Sequence, residues 1–351
     1  MALAENEKHS LAGEWSVRLK DGTRCTAVLP GTLDENGIGG ADAAECSTRL
    51  TRVHTYTGPA VFSRSAVLEK PENGRLLLKL ERARQLHLSV DGIPVQPVTG
   101  SLSTPWIWEL TDRADGAAHE LAVTSDNSYP GWPAKAIIYS SAATDETQTN
   151  WNGLLGEMSL TGRPAVFAEQ ARLMQTEAEA VVCVTVNAAS DWEGDVSVSC
   201  EAFAEAAPVR CKLGPGRTDV RVPVTVAADA RRWDELQGEL YTLTASLEGM
   251  GSWDFRCGIR TFCGNAEGRL TINGRVFFLR GEANCCEFPE TGHEPLTVDE
   301  WLEVLGTYAA YGVNTMRFHS HTPPEAAFEA ADRLGILMEP ELSHWDPWNA
   351  L

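Results

Sequence analysis

The residues with the greatest chemical capacity gather late in the chain. Glu282, Asn284 and Glu287 stand close together, Arg317, His319 and His321 follow, and Glu341, His344 and Trp345 complete the series. A pocket holding carboxylate, guanidinium, imidazole and indole groups suits a sugar. Arg and His hydrogen-bond hydroxyls or a carboxylate, and an indole stacks on the ring face. Asn284, Arg317, His319, His321, Glu341 and Trp345 are therefore the candidate substrate-binding residues. Some of them have plainer uses: Arg317 can pair with Glu341 beneath the site, and Trp345 can cover the core. His319-Ser320-His321 also offers a second chemistry. Two His at i and i+2 on a strand end point the same way, a spacing used by metal-dependent hydrolases, and His344 with Glu341 would complete a ligand set. The wider grouping favours the sugar reading, so no metal ligand and no cofactor is assigned.

These residues need elements that end together. Val276–Gly281 reads as an apolar strand. Thr297-Val-Asp-Glu300 is a capping box opening a helix to about Tyr311, with Gly312 as its stop. Asn314–His319 is the next strand. Thr322-Pro-Pro-Glu325 reads as a second capping box with Pro323 at the first helical position; that helix stops at Gly335, and Ile336–Leu342 is a third strand. Strand–helix repetition predicts right-handed crossovers and a parallel sheet, with the candidate residues at the carboxyl ends of its strands. A complete (β/α)₈ barrel needs roughly 250 residues. Residues 263–351 can hold only its first units, so an incomplete TIM barrel is expected, with unpaired strand edges and an exposed apolar face.

Upstream the grammar is β. Arg75–Leu80, Gln85–Val90 and His119–Thr124 alternate, punctuated by Asn73–Gly74 and Asp91–Gly92 as hairpin turns. Residues 1–165 are expected to form a jelly-roll β-sandwich. Ala180–Asn187, Asp195–Ala202, Thr218–Val226 and Leu240–Leu247 predict an immunoglobulin-like β-sandwich over 166–262. The formal net charge of −20 repels phosphate backbones and anionic lipid, so neither nucleic acid nor membrane is an expected partner. The nine Cys show neither CxxC spacing nor a disulfide framework. Met1–Ser10 has no apolar core of a signal peptide, which makes a cytoplasmic protein the expectation, with a mature secreted form as the alternative. The 11 Trp are expected mainly in cores.

The motifs resemble glycoside hydrolase family 2, the β-galactosidases, β-glucuronidases and β-mannosidases, over nearly the whole chain. Gly13-Glu-Trp15, Leu29-Pro-Gly-Thr32, Tyr56-Thr-Gly58 with Arg64, and Trp151-Asn-Gly153 with Gly156 look like the sugar-binding-domain pattern. Trp233, Leu240-Tyr241 and Gly258-Ile-Arg260 are similar to the family's second sandwich. Asn273-Gly274, Phe278-Leu-Arg-Gly281, Gly312-Val-Asn314, Arg317 and Ala331-Asp332 with Leu334-Gly335 look like the start of its barrel. Arg317-Phe-His-Ser320 with Pro323-Pro-Glu-Ala-Ala-Phe328 is similar to a polysaccharide-degrading branch.

The resemblance implies a retaining, exo-acting β-glycosidase acting on an oligosaccharide or polysaccharide, with homo-oligomers a further option. It implies that the acid/base and nucleophile lie on later strands, beyond Leu351, and that Glu341 lines or supports the site. Departures are Cys285 where many members have His, and His319 and His321 flanking Ser320 where common members have one His. Glu157 aligns loosely with an Asp that reaches the sugar site in some members. Two rival functions are a non-catalytic carbohydrate-binding β-sandwich protein and a metal-dependent hydrolase using His319 and His321.

Overall fold

Strict alternation of apolar and polar residues builds the first sandwich. Gly13–Leu19 buries Trp15, Val17 and Leu19 and exposes the residues between them. The structure, a computed structural model, describes residues 6–42, 52–145, 147 and 150–344. Within it, Ile93–Val95, Gln85–Val90, Ala118–Asp126, Pro59–Val67, Gly13–Leu19 and Arg24–Leu29 lie side by side in one antiparallel sheet. The facing sheet runs Lys8–Ser10, Gly153–Arg163, Arg75–Ala83 and Trp106–Glu109, with Gly31–Thr32 attached to Gly153–Arg163. Trp15, Phe62, Leu78, Trp108 and Leu121 lie in the core they share.

Asp91 and Gly92 have φ of 50° and 77° and close a two-residue hairpin, as expected. Asn73–Gly74 does not make a hairpin. The strands it joins lie in different sheets, and Gly74 passes so close to the Arg163 carbonyl that a Cβ there would sit 2.6 Å from it.

The second sandwich follows the predicted strands closely. Val166–Gln175, Ala180–Ala188, Gly216–Val226 and Phe203–Ala206 form one sheet; Val209–Leu213, Trp192–Ser199, Tyr241–Leu247 and Gly251–Cys257 form the other. Val184, Val196, Val222 and Leu243 are fully buried between them. The described Trp are buried or partly buried, so their abundance serves packing. The described cysteines are all free thiols.

The sequence pattern past residue 262 needs correction in two places. The first parallel strand is Gly281–Asn284, several residues later than expected. Arg275–Val276 instead closes a small antiparallel sheet with Phe262–Gly264 and Leu270–Ile272, and Phe278 and Leu279 are exposed. The helix Val298–Ala310 has its predicted capping box: Thr297 Oγ1 accepts from the Glu300 N–H, and the Glu300 carboxylate accepts from the Thr297 N–H. The second box does not form. The helix is Glu325–Leu334, Pro324 is its N-cap, and the Thr322 hydroxyl donates to the Glu341 carbonyl. Pro324 disfavours the helical region for Pro323, so the helix starts two residues late. Gly335, at φ 78°, is the left-handed stop that the sequence predicts.

Gly281–Asn284, Thr315–Phe318 and Leu337–Pro340 pair in parallel, in that order. Met316 and Phe318 are buried with Trp301, Leu305, Ala327 and Ala330 of the two helices. Ala283, Arg317 and Glu339 lie abreast across the three strands and are exposed. The helices thus cover one face of this sheet and leave the other open.

Candidate functional site

Parallel strands bring their carboxyl ends to one rim, which gathers distant side chains. Arg317 projects from the open face, and its Nε donates to Glu341 Oε1 at 2.7 Å. Its Nη2 lies 2.5 Å from the same oxygen. Glu341 Oε2 accepts the Ser320 N–H at 2.7 Å. Burial pushes the Glu341 carboxyl up, but the Ser320 N–H and the Arg317 guanidinium outweigh it and hold the group below its ordinary value. His319 is partly exposed beside this pair. Its Nδ1 lies 3.6 Å from Cys285 Sγ, and its N–H extends the ladder to the Asn284 carbonyl.

The other predicted residues take different places. Asn284 is 7% exposed, and its Oδ1 accepts the Cys286 N–H at 2.9 Å, stabilising the turn beneath the rim. His321 is 2% exposed and packs edge-on to Phe318. Ser320 explains why His319 and His321 part company. Its φ of 49° breaks strand alternation after Phe318, so the i, i+2 rule does not carry across it. His319, His321, His344 and Glu341 therefore form no ligand group, and His344 is exposed. Trp345 lies outside the described residues.

Loops of the first sandwich close over this rim, a contribution that sequence reasoning missed. Arg82 Nη1 donates to the carbonyls of Leu102 and Thr322. Ser320 Oγ accepts the Ser141 N–H at 2.8 Å, and the Ser103 and Ser343 hydroxyls are in contact. Arg84 is buried with its guanidinium 3.9 Å from the Trp151 ring centre and donates to the Trp151 and Ala142 carbonyls. Glu35 is held at about 2 by its hydrogen bond from His293, against the upward push of burial, with the Thr32 N–H helping.

Glu157 is tied to Lys8 and Lys79 and lines a recess with Gly156, His293 and Leu296. No local period in the sequence marks Arg82 or Ser141.

No protein-family model and no curated protein matches the sequence. Solved structures do match. A family 2 β-galacturonidase from Eisenbergiella tayi, bound to galacturonate, matches 98% of this chain and 59% of its own at TM-score 0.75 and 17% identity. A β-glucuronidase from Parabacteroides merdae matches 98% of this chain and 46% of its own at TM-score 0.69 and 21% identity. This chain has a family 2 glycoside hydrolase fold.

A β-D-mannosidase from Dictyoglomus thermophilum shares the same family 2 fold, at TM-score 0.68 and 16% identity over 95% of this chain and 47% of that one. The chain spans about half the length of the structures it resembles. The candidate rim lies where the first sandwich meets the parallel sheet. Among the described residues no helix is long and apolar enough to cross a membrane.

Proposed function

We propose that this chain forms the amino-terminal part of a retaining, exo-acting β-glycosidase. It comprises a jelly-roll sandwich (1–165), an immunoglobulin-like sandwich (166–262) and the first units of a (β/α) barrel (263–351). The observation that carries this reading is the correspondence of nearly the whole chain with family 2 enzymes, including one bound to galacturonate. The open face supports it as well. Parallel sheets are ordinarily covered on both faces, and further barrel strands would cover the face bearing Ala283, Arg317 and Glu339. Retaining glycosidases need two carboxyl groups about 5–5.5 Å apart flanking the scissile bond. In this reading the pair comes from later strands, while Arg317 and His319 hold a sugar hydroxyl or a uronate carboxylate. Glu341 aims Arg317.

The test uses nitrophenyl β-galacturonide, glucuronide, galactoside and mannoside. The chain by itself should give no turnover above buffer. A protein extended through the remaining barrel strands should cleave one of them and release the β-anomer first. Arg317→Ala in that longer protein should raise KM for an acidic sugar by roughly tenfold or more, the loss of a charge-assisted contact of about 1.5–3 kcal/mol. Turnover by the chain alone that survives Glu341→Gln would overturn the proposal, as would inversion in the longer protein.

A second reading rests on a different observation. The solvent face of the six-stranded sheet holds a polar depression of about 770 Å³ lined by Arg18, Arg24, Arg64, Ser63 and Glu120. A carbohydrate-binding protein without catalysis would use it. Titrating the chain with acidic oligosaccharides tests this: binding abolished by Arg18→Ala with Arg24→Ala would favour that reading.

A further inference from the structure

Three buried side chains behind the rim face one another and take no part in the sugar-facing arrangement. Cys286 Sγ, a carboxylate oxygen of Glu294 and a ring nitrogen of His321 all lie within 4.8 Å of one another. The residues are 1%, 7% and 2% exposed. They come from three separate segments: Cys286 follows the first parallel strand, Glu294 precedes the helix Val298–Ala310, and His321 follows the second parallel strand.

The hydrogen bonding of His321 is informative. Its Nδ1 lies 3.0 Å from the His319 carbonyl oxygen, which can only accept, so Nδ1 carries the proton. That leaves Nε2 as a bare lone pair, and Nε2 is buried without a hydrogen-bond partner. Glu294 Oε2 and Arg82 Nε are likewise buried and unpartnered, although Arg82 Nε is 3.4 Å from the other Glu294 oxygen. Unsatisfied buried polar atoms each cost about 1–3 kcal/mol, and two of these, His321 Nε2 and Glu294 Oε2, are lone-pair acceptors that call for an electron-poor occupant. A backbone-bonded imidazole with its second nitrogen free is the usual arrangement of a metal-ligating His. Cys286 has φ of 60°, outside the region a side-chain-bearing residue prefers, and its N–H is fixed by Asn284. The turn is therefore set before any ligand arrives.

We propose that Cys286, Glu294 and His321 bind one zinc ion, with a water as fourth ligand. Thiolate and imidazole select zinc over magnesium or calcium, which take oxygen ligands. Zn–S of about 2.3 Å and Zn–N of about 2.0 Å imply ligand–ligand edges of roughly 3.3–3.5 Å, so a contraction of at most about 1.5 Å from the 4.8 Å limit closes the site. On binding, the Cys286 S–H bond breaks, a sulfur–zinc bond forms, and the proton leaves to solvent. The ion would clamp together the loops after the first and second strands and the one before the helix. This inference does not depend on the proposed glycosidase activity.

The whole chain, stripped with a chelator and incubated with excess zinc or cobalt(II), tests it. The expected result is one zinc per chain after removal of free metal, and a sulfur-to-cobalt charge-transfer band in the cobalt form. Cys286→Ser and His321→Gln should lose stoichiometric zinc, while Cys285→Ser and His319→Gln keep it. The cobalt spectrum of the unmutated chain decides the matter even where a variant does not fold. Substoichiometric zinc, a cobalt form without the sulfur band, or full retention by both ligand variants would overturn the proposal and leave a buried water as the occupant.

Discussion

Individual side chains at the rim and around it divide into those on its open face and those that hold the frame. Glu157 belongs to the frame. Burial pushes its carboxyl up, but Lys8, the Ser159 hydroxyl and Lys79 outweigh this and hold it at about 2, below the ordinary 4.5. A depressed carboxylate contributes stability above its unfolded value and loses it as pH falls through the folded one. Glu157→Gln should therefore cost about 1 kcal/mol at neutral pH, with a third of the side chain exposed and screened, and should flatten the loss of stability between pH 4.5 and about 2. Urea titrations of both proteins across that range measure the difference. The sequence showed Arg317, His319 and Glu341 as a group because all three sit on strand ends with a readable register. It placed His321 on the same rim because it could not show the left-handed turn at Ser320, and Asn284 there because it set the first strand several residues too early. The Cys286, Glu294 and His321 group was hidden for a related reason, since Glu294 comes from a loop and Arg82 reaches the carboxylate from the end of the sandwich strand Arg75–Ala83, positions that no period links.

At the level of elements, signals tied to backbone hydrogen bonding were the legible ones. The Thr297–Glu300 box formed as predicted, and Thr297→Ala should cost about 1 kcal/mol in thermal or urea unfolding. The Thr322 box failed because two consecutive prolines override a capping pattern, a conflict visible only when the restriction on the residue before proline is weighed against the motif. Gly335 carries two constraints. Its φ is 78°, and a Cβ there would lie 2.5 Å from the Asp234 carbonyl. Gly335→Ala should destabilise by about 2–3 kcal/mol, more than the left-handed penalty of roughly 1–2 kcal/mol alone. Gly238→Ala isolates the packing component, because a Cβ there would meet the Arg333 carbonyl at 2.1 Å without a positive φ. Differential scanning calorimetry of the two variants separates conformational from steric cost.

Across the whole molecule, alternation made the two sandwiches legible, whereas the seams between modules were not. The Trp233 indole N–H donates to the Asp332 carbonyl at 2.6 Å, and Arg256 pairs with both Glu329 and Asp332. Arg82 and Ser141 hold the rim from the other side. Cut away from these contacts, residues 263–351 should melt without a cooperative transition by circular dichroism, while the full chain unfolds cooperatively; a sharp melt of the isolated segment would show that its own core suffices. The seating of Gly238 and Gly335 has a further consequence for motion. Backbone meets backbone there with no side chain between to re-pack, so neither hinge nor shear displacement has a soft element to act on. The second sandwich and the helix Glu325–Leu334 must travel as one piece. In the proposed reading a sugar would then reach Arg317 and His319 beside a helix that cannot shift against the second sandwich, and small-angle scattering should record the same radius of gyration with and without saturating saccharide.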